Sequence, residues 1–166
     1  MTRIVVCDTG PLLHLSEAGA IHLLQRAGEI LIPPVVAFEF EANAQGWRPP
    51  QWVKVTDLDK NSNQQAVGWV QAGHIDPGEA EAIGLALQIN ADWLLTDDAK
   101  ARQFAETLDL EVHGSIGLLI WNAAVGNISE RTQALSLLDH LAISSLWVSE
   151  RVLQEAQKAI DVLLPE

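Results

Sequence analysis

The 166-residue chain has a single cysteine, Cys7. One thiol closes no internal disulfide, so a reducing compartment, the cytoplasm, is the expected setting. Basic residues are also scarce. Ten Lys and Arg stand against 22 Asp and Glu, giving a formal charge of −12 and a pI of about 4.6. Such a chain does not hold nucleic acid by charge alone. Any polyanion it meets needs positive charge from elsewhere, and a divalent cation is the obvious source. No apolar run approaches the ~18 residues of a membrane span; Ile160–Leu164 is short and contains Asp161. Met1–Cys7 lacks the long apolar core and small-residue cleavage site of a signal peptide. The glycine-rich dinucleotide and P-loop fingerprints are missing. Gly10 occupies the place, two residues after Asp8, where a dehalogenase-type phosphatase carries its second acid. His14, His22, His74, His113 and His140 show no metal-ligand pairing and read as structural or solvated. What is present in quantity is apolar: 48% of residues are hydrophobic, enough for a sizeable core in one domain spanning residues 1–166.

Short apolar segments alternate with helical ones. Arg3–Cys7, Glu29–Ile32, Asp92–Thr96 and Leu110–His113 read as strands, with Val53–Thr56 as an edge strand. Helices are expected over Leu12–Gln25, Val35–Ala44, Ala80–Ile89, Ala99–Leu108, Ser115–Ala124, Ser129–Leu141 and Ser149–Leu164. Asn61–Gly73 is polar and reads as a loop or a short helix. This alternation predicts an α/β fold, three-layer α/β/α, around a central mainly parallel sheet. The helices of about 129–164 are expected to pack on it or to form an interface.

The acids fall in informative places. Asp8 ends the first strand, and Asp97 and Asp98 end the strand Asp92–Thr96, so all three are expected on one rim of the sheet, where ligands bind in open parallel sheets. Glu39 shares a helix face with Val35, Val36 and Ala42, and Glu79 with Ala82, Ile83 and Ala86. A carboxylate aimed at apolar surroundings needs a proton, a cationic partner or a metal. With so few Lys and Arg, a hard divalent cation fits four acids better than ordinary pairing. Each acid also has a plain structural reading. Asp8 and Asp98 can cap the helices that follow them. Asp76, Pro77 and Glu79 match a capping box. Asp97 can be merely solvated, and Glu39 can be exposed.

Asp8-Thr9-Gly10-Pro11-Leu12 after an apolar strand resembles the opening of PIN domains, more narrowly the DUF3368 branch related to VapC-type toxins. Ile32–Phe40, Asp76–Ala86, Ala91–Arg102 and Val112–Leu119 are similar to further segments of that branch in the same order; Gly78–Ala86 and Thr96–Arg102 are the specific parts. The resemblance implies a PIN-like fold and a ribonuclease dependent on Mg²⁺ or Mn²⁺. It implies Asp8, Glu39, Glu79 and Asp98 as catalytic acids, and Asp8, Glu79, Asp97 and Asp98 as metal ligands. Metal-activated water would attack the phosphodiester in line, with no serine or cysteine nucleophile. Thr9, Thr96, Lys100 and Arg102 are the substrate-binding candidates. RNA is the implied substrate, a protein antitoxin an implied partner and a homodimer the implied assembly, with no membrane association. Glu79 stands where many PIN nucleases have Asp, and Gly10 where Ser is common. The rival reading keeps the fold and drops the catalysis, leaving a PIN-like RNA-binding or protein-interaction module. Trp47, Trp52, Trp69, Trp121 and Trp147 are either core residues or part of such a surface.

Overall fold

A computed structural model describes residues 1–44 and 46–166. Five parallel strands, β1 (Ile4–Cys7), β2 (Glu29–Ile32), β3 (Val53–Val55), β4 (Trp93–Leu95) and β5 (Val112–His113), form one sheet in the order β3-β2-β1-β4-β5. Strand alternation sorts side chains into two cores. Val5, Cys7, Ile30, Ile32, Trp93 and Leu95 face one layer; Val6, Leu31 and Leu94 face the other. The first layer is built from α1 (Thr9–Glu17), α2 (Ile21–Gln25), α3 (Pro34–Asn43), α7 (Ser115–Ala124), α8 (Arg131–Ile143) and α9 (Glu150–Leu163). The second is α4 (Lys60–Gln71), α5 (Pro77–Gln88) and α6 (Ala99–Thr107). This is the PIN-like α/β/α sandwich, its sheet parallel throughout. Leu137, Leu138 and Leu141 of α8 and Ala156 and Ile160 of α9 are buried in the first core. Arg131 joins these two helices through Asp161 at 2.8 Å. Among the described residues no helix is long and apolar enough to cross a membrane.

Two expectations change. The helix expected over Leu12–Gln25 is two helices, α1 and α2, separated at Gly19, whose φ of +67° carries the chain out of α1. It also starts earlier, at Thr9, because Asp8 caps it. The ambiguous stretch Asn61–Gly73 is the helix α4. Asp59 caps it by accepting from Ser62 N at 2.7 Å, and the turn spacing of Ala66, Trp69 and Val70 puts them against the second core. Polar residues outnumber apolar ones there, which obscured a narrow but regular stripe.

Gly28, between α2 and β2, has a specific task. Its φ is +152°, and a Cβ would overlap the Arg3 carbonyl oxygen where β2 begins pairing with β1. Backbone cannot move aside as a flexible side chain can. Gly28→Ala is therefore expected to cost about 2–4 kcal/mol, read as a lowered urea midpoint with unchanged slope.

Candidate active site

The strand order makes β1 the switch point: chain connections leave it toward β2 on one side, and β4 lies on the other. A crevice opens between the C-terminal ends of β1 and β4. A cleft of about 460 Å³ occupies that place, and Asp8, Glu39, Asp76, Glu79, Asp97 and Asp98 all line it.

Asp8 follows β1 directly and is buried. One carboxylate oxygen accepts from Thr9 N at 2.7 Å; the other accepts from the buried Thr96 hydroxyl at 3.0 Å. Burial pushes its pKa from the ordinary 3.8 up to about 7, against the lowering pull of those hydrogen bonds, with the charges of Asp76 and Glu39 adding to the rise. Thr96 also accepts from Asp98 N at 3.3 Å, so one hydroxyl links the ends of β1 and β4. Asp98 caps α6 by accepting from Ala101 N at 2.9 Å.

Glu39 reaches the same cleft from α3. Its Oε2 accepts from the Thr9 hydroxyl at 2.6 Å, and its carboxylate lies on the Cα of Gly78, where a Cβ would overlap Oε2 and sit 2.9 Å from Oε1. Gly78 is thus the residue that lets α3 and α5 bring two acids together. Gly78→Ala is expected to leave the melting temperature unchanged or raised, since the atom in the way ends a flexible side chain and Ala favours the helix by up to ~1 kcal/mol. The same methyl turns Glu39 out of the cleft. Circular dichroism melts beside any activity of the cleft check this: a large loss of stability would show that Gly78 serves packing instead.

Glu79 is the decisive acid. Asp76 caps α5 by accepting from Glu79 N at 2.9 Å, the first half of a capping box. Among the described residues the return half is missing, and Glu79 Oε2 is buried with no hydrogen-bond partner. Burial pushes its carboxyl pKa well up, and the adjacent Asp76 carboxylate, then the charges of Asp98 and Asp8, add to the rise. A glutamate that only capped its helix would not carry an orphaned oxygen.

Asp97 differs from its neighbours. Its Oδ1 accepts from Ser115 N at 2.7 Å; its Oδ2 accepts from the Ser115 hydroxyl at 2.5 Å and meets His14 Nδ1 at 2.7 Å. It ties α7 and α1 to the end of β4. His14 and Asp76 line the cleft and were not among the expected site residues. Asp76 was hidden by its helix-cap role. His14 lies one turn beyond Gly10 on α1, a spacing that was the available signal. A Cβ on Gly10 would meet His14 and Asp97 at ordinary contact distances of 3.6–3.7 Å, so a Ser would fit there. Of the substrate-binding candidates, Thr9 lines the cleft and Thr96 holds Asp8. Arg102 lies in the adjoining cleft beside Gly114, while Lys100 is exposed and lines neither.

Among the described residues no three of these side chains already converge as a ligand set for a metal. The donors are nonetheless those a hard cation takes: carboxylate oxygens, two of them on acids that burial disfavours as anions, and one oxygen without any partner. The residues therefore fit a divalent cation by chemistry, with carboxylate rotation needed to close around it. The DUF3368 family model, a PIN domain, matches residues 4–161 of the chain. No curated protein matches it.

Proposed function

Since the chain belongs to the DUF3368 family of PIN domains, we propose that it is a ribonuclease dependent on Mg²⁺ or Mn²⁺, hydrolysing RNA phosphodiesters in the acid cleft. The observation that carries this reading is Glu79: a buried carboxylate oxygen without a partner, in a cleft lined by five further acids. Asp8, Glu79 and Asp98 are the residues that would hold a cation, with Glu39 completing the acid set. PIN domains generally use such ions. A bound divalent cation supplies Lewis-acid polarisation of the phosphate and acidifies the attacking water.

The chain's own residues do the positioning. Thr9 N and the Thr96 hydroxyl fix both oxygens of Asp8, so its carboxylate is aimed before ligand arrives. The Thr9 hydroxyl holds Glu39 in the same cleft. Asp97, expected among the metal ligands, is engaged three times, by Ser115 N, the Ser115 hydroxyl and His14, against two hydrogen bonds on Asp8; we assign it to orienting the loop after β4. Concentrating anionic groups at one rim of a chain of net charge −12 makes RNA approach dependent on the cation. The one-domain reading, cytoplasmic location, a homodimer and a toxin role paired with a protein antitoxin belong to the same proposal.

One observation favours a second reading, a non-catalytic PIN-like binding module: the acids do not already converge. Incubating a mixed pool of structured and single-stranded RNAs with Mg²⁺, Mn²⁺ or EDTA separates the two. Cleavage with metal and none in EDTA is the expected result. Intact RNA under every condition, from protein that remains folded, would leave the binding module.

A further inference from the structure

We infer that Trp147 forms a base-stacking subsite beside the acid cleft, with Arg102 as its phosphate contact. The inference rests on the ribonuclease reading above and deepens it.

Trp147 lies in the segment between α8 and α9 and is 86% exposed, whereas the other five tryptophans are buried or half-buried. Leaving an indole in water is unfavourable by burial arithmetic, and a loose tail would be the simplest way to tolerate it. This segment is not loose. Glu17 of α1 accepts from both Ser145 N at 2.9 Å and the Ser145 hydroxyl at 2.5 Å. Leu146 N donates to the Ser144 hydroxyl at 3.2 Å, and the Ser149 hydroxyl caps α9 by accepting from Val152 N at 3.2 Å. The segment that carries the indole is held at both ends.

Its position is equally specific. Trp147 lines the acid cleft and also an adjoining cleft of about 270 Å³ that contains Arg102. Gly114 makes room there: a Cβ would sit 2.8 Å from Arg102 Nη2 and 2.9 Å from Asp97 Oδ1. Arg102 forms no salt bridge among the described residues, while Lys54, Arg131 and Arg151 are paired with acids. The indole thus borders both the cleft lined by the acids and the cleft that holds the guanidinium, so a strand crossing the two offers a scissile phosphate, a base and a further phosphate. A flat indole takes any base, and a guanidinium fork takes a phosphate. For a chain of net charge −12, affinity from stacking plus one cation avoids the need for a basic surface. A paired base has its faces covered, so the subsite selects unpaired nucleotides.

The test uses the full chain carrying Asp8→Asn, so that probes stay intact, and measures fluorescence anisotropy with a short labelled oligouridylate and a blunt RNA duplex without a loop. Adding Trp147→Ala should weaken oligouridylate binding about 10- to 100-fold and leave the duplex unaffected. Trp147→Phe should restore most of the loss, which a merely structural role would not allow once each variant melts like its parent. Arg102→Gln should reduce the slope of log affinity against log salt by about one. Equal binding by the Trp147→Ala variant and its parent, or equal loss for both probes, overturns the subsite. So does a change from dimer to monomer on Trp147→Ala with RNA binding intact, which would make the indole a protein contact. If wild type cuts no RNA yet oligouridylate binding still depends on Trp147, the subsite stands and the ribonuclease reading falls.

Discussion

Asp8→Asn should abolish metal-dependent RNA cleavage while making the metal-free protein more stable. Asn keeps the volume of Asp and offers an oxygen to Thr9 N and an amide to the Thr96 hydroxyl, so the junction of β1 and α1 is preserved. The anion that a cation needs is lost. The expected fall in kcat is ~1,000-fold or more, about 4 kcal/mol of transition-state stabilisation, measured on whichever RNA of the mixed pool the wild type cuts fastest. Stability runs the other way because Asp8 is a buried acid raised to about 7. Its folded pKa lies above its unfolded one, so the favourable contribution is fully present below about pH 4 and is lost as pH rises through about 7. At pH 8 the wild type carries an unfavourable term on the order of 4 kcal/mol that Asn does not. Urea melts in EDTA should show the variant more stable at pH 8 and the two converging near pH 4. A variant less stable than wild type at pH 8 would mean that the Asp8 anion is well solvated in the native state, and the case for a strained acid cleft would fail.

The second large effect is cation binding read through stability. At pH 8 in EDTA, Asp8 and Glu79 are both held in surroundings that disfavour their charge. Mn²⁺ at about 100 times its Kd should add about 2.7 kcal/mol, raising the melting temperature by about 5–10 °C. At pH 5 both carboxyls are protonated in the folded state, and the same Mn²⁺ should add little. Differential scanning calorimetry at the two pH values, with Asp8→Asn as comparison, checks this. Equal stabilisation at pH 5 and pH 8, or in wild type and variant alike, would place the cation elsewhere on the acidic surface.

Much of the fold was legible in particular residues. Arg3–Cys7 and Glu29–Ile32 are short, β-branched and apolar on both faces, which only a doubly covered parallel strand explains, and both are strands with alternate side chains in the two cores. Pro77 after Asp76 marked the start of α5, and that cap is formed. The errors have equally local causes. Gly19 carried no composition signal strong enough to divide the Leu12–Gln25 pattern, and its positive φ divides it. Helix α4 was obscured because its apolar stripe is narrow among polar residues.

The acids illustrate the boundary best. The plain and functional readings of Asp8 and Asp98 were rivals in the sequence and coexist in the fold: each caps a helix and each lines the cleft. Asp76, read only as a cap, also lines the cleft. Glu79 was indistinguishable from a capping-box residue until its unpartnered oxygen was seen. By itself the sequence determined the strand–helix alternation, the acidity and the residues at strand ends, because these depend on side-chain periodicity and on neighbours a few positions away. Only the tertiary structure decided that β1 and β4 are adjacent, that Glu39 lies on Gly78, that Asp97 is occupied by Ser115 and His14, and that Trp147 alone among six tryptophans faces water. Those facts depend on which distant segments meet and on what desolvates each group, and sequence spacing does not encode contacts between residues as far apart as Asp8 and Thr96.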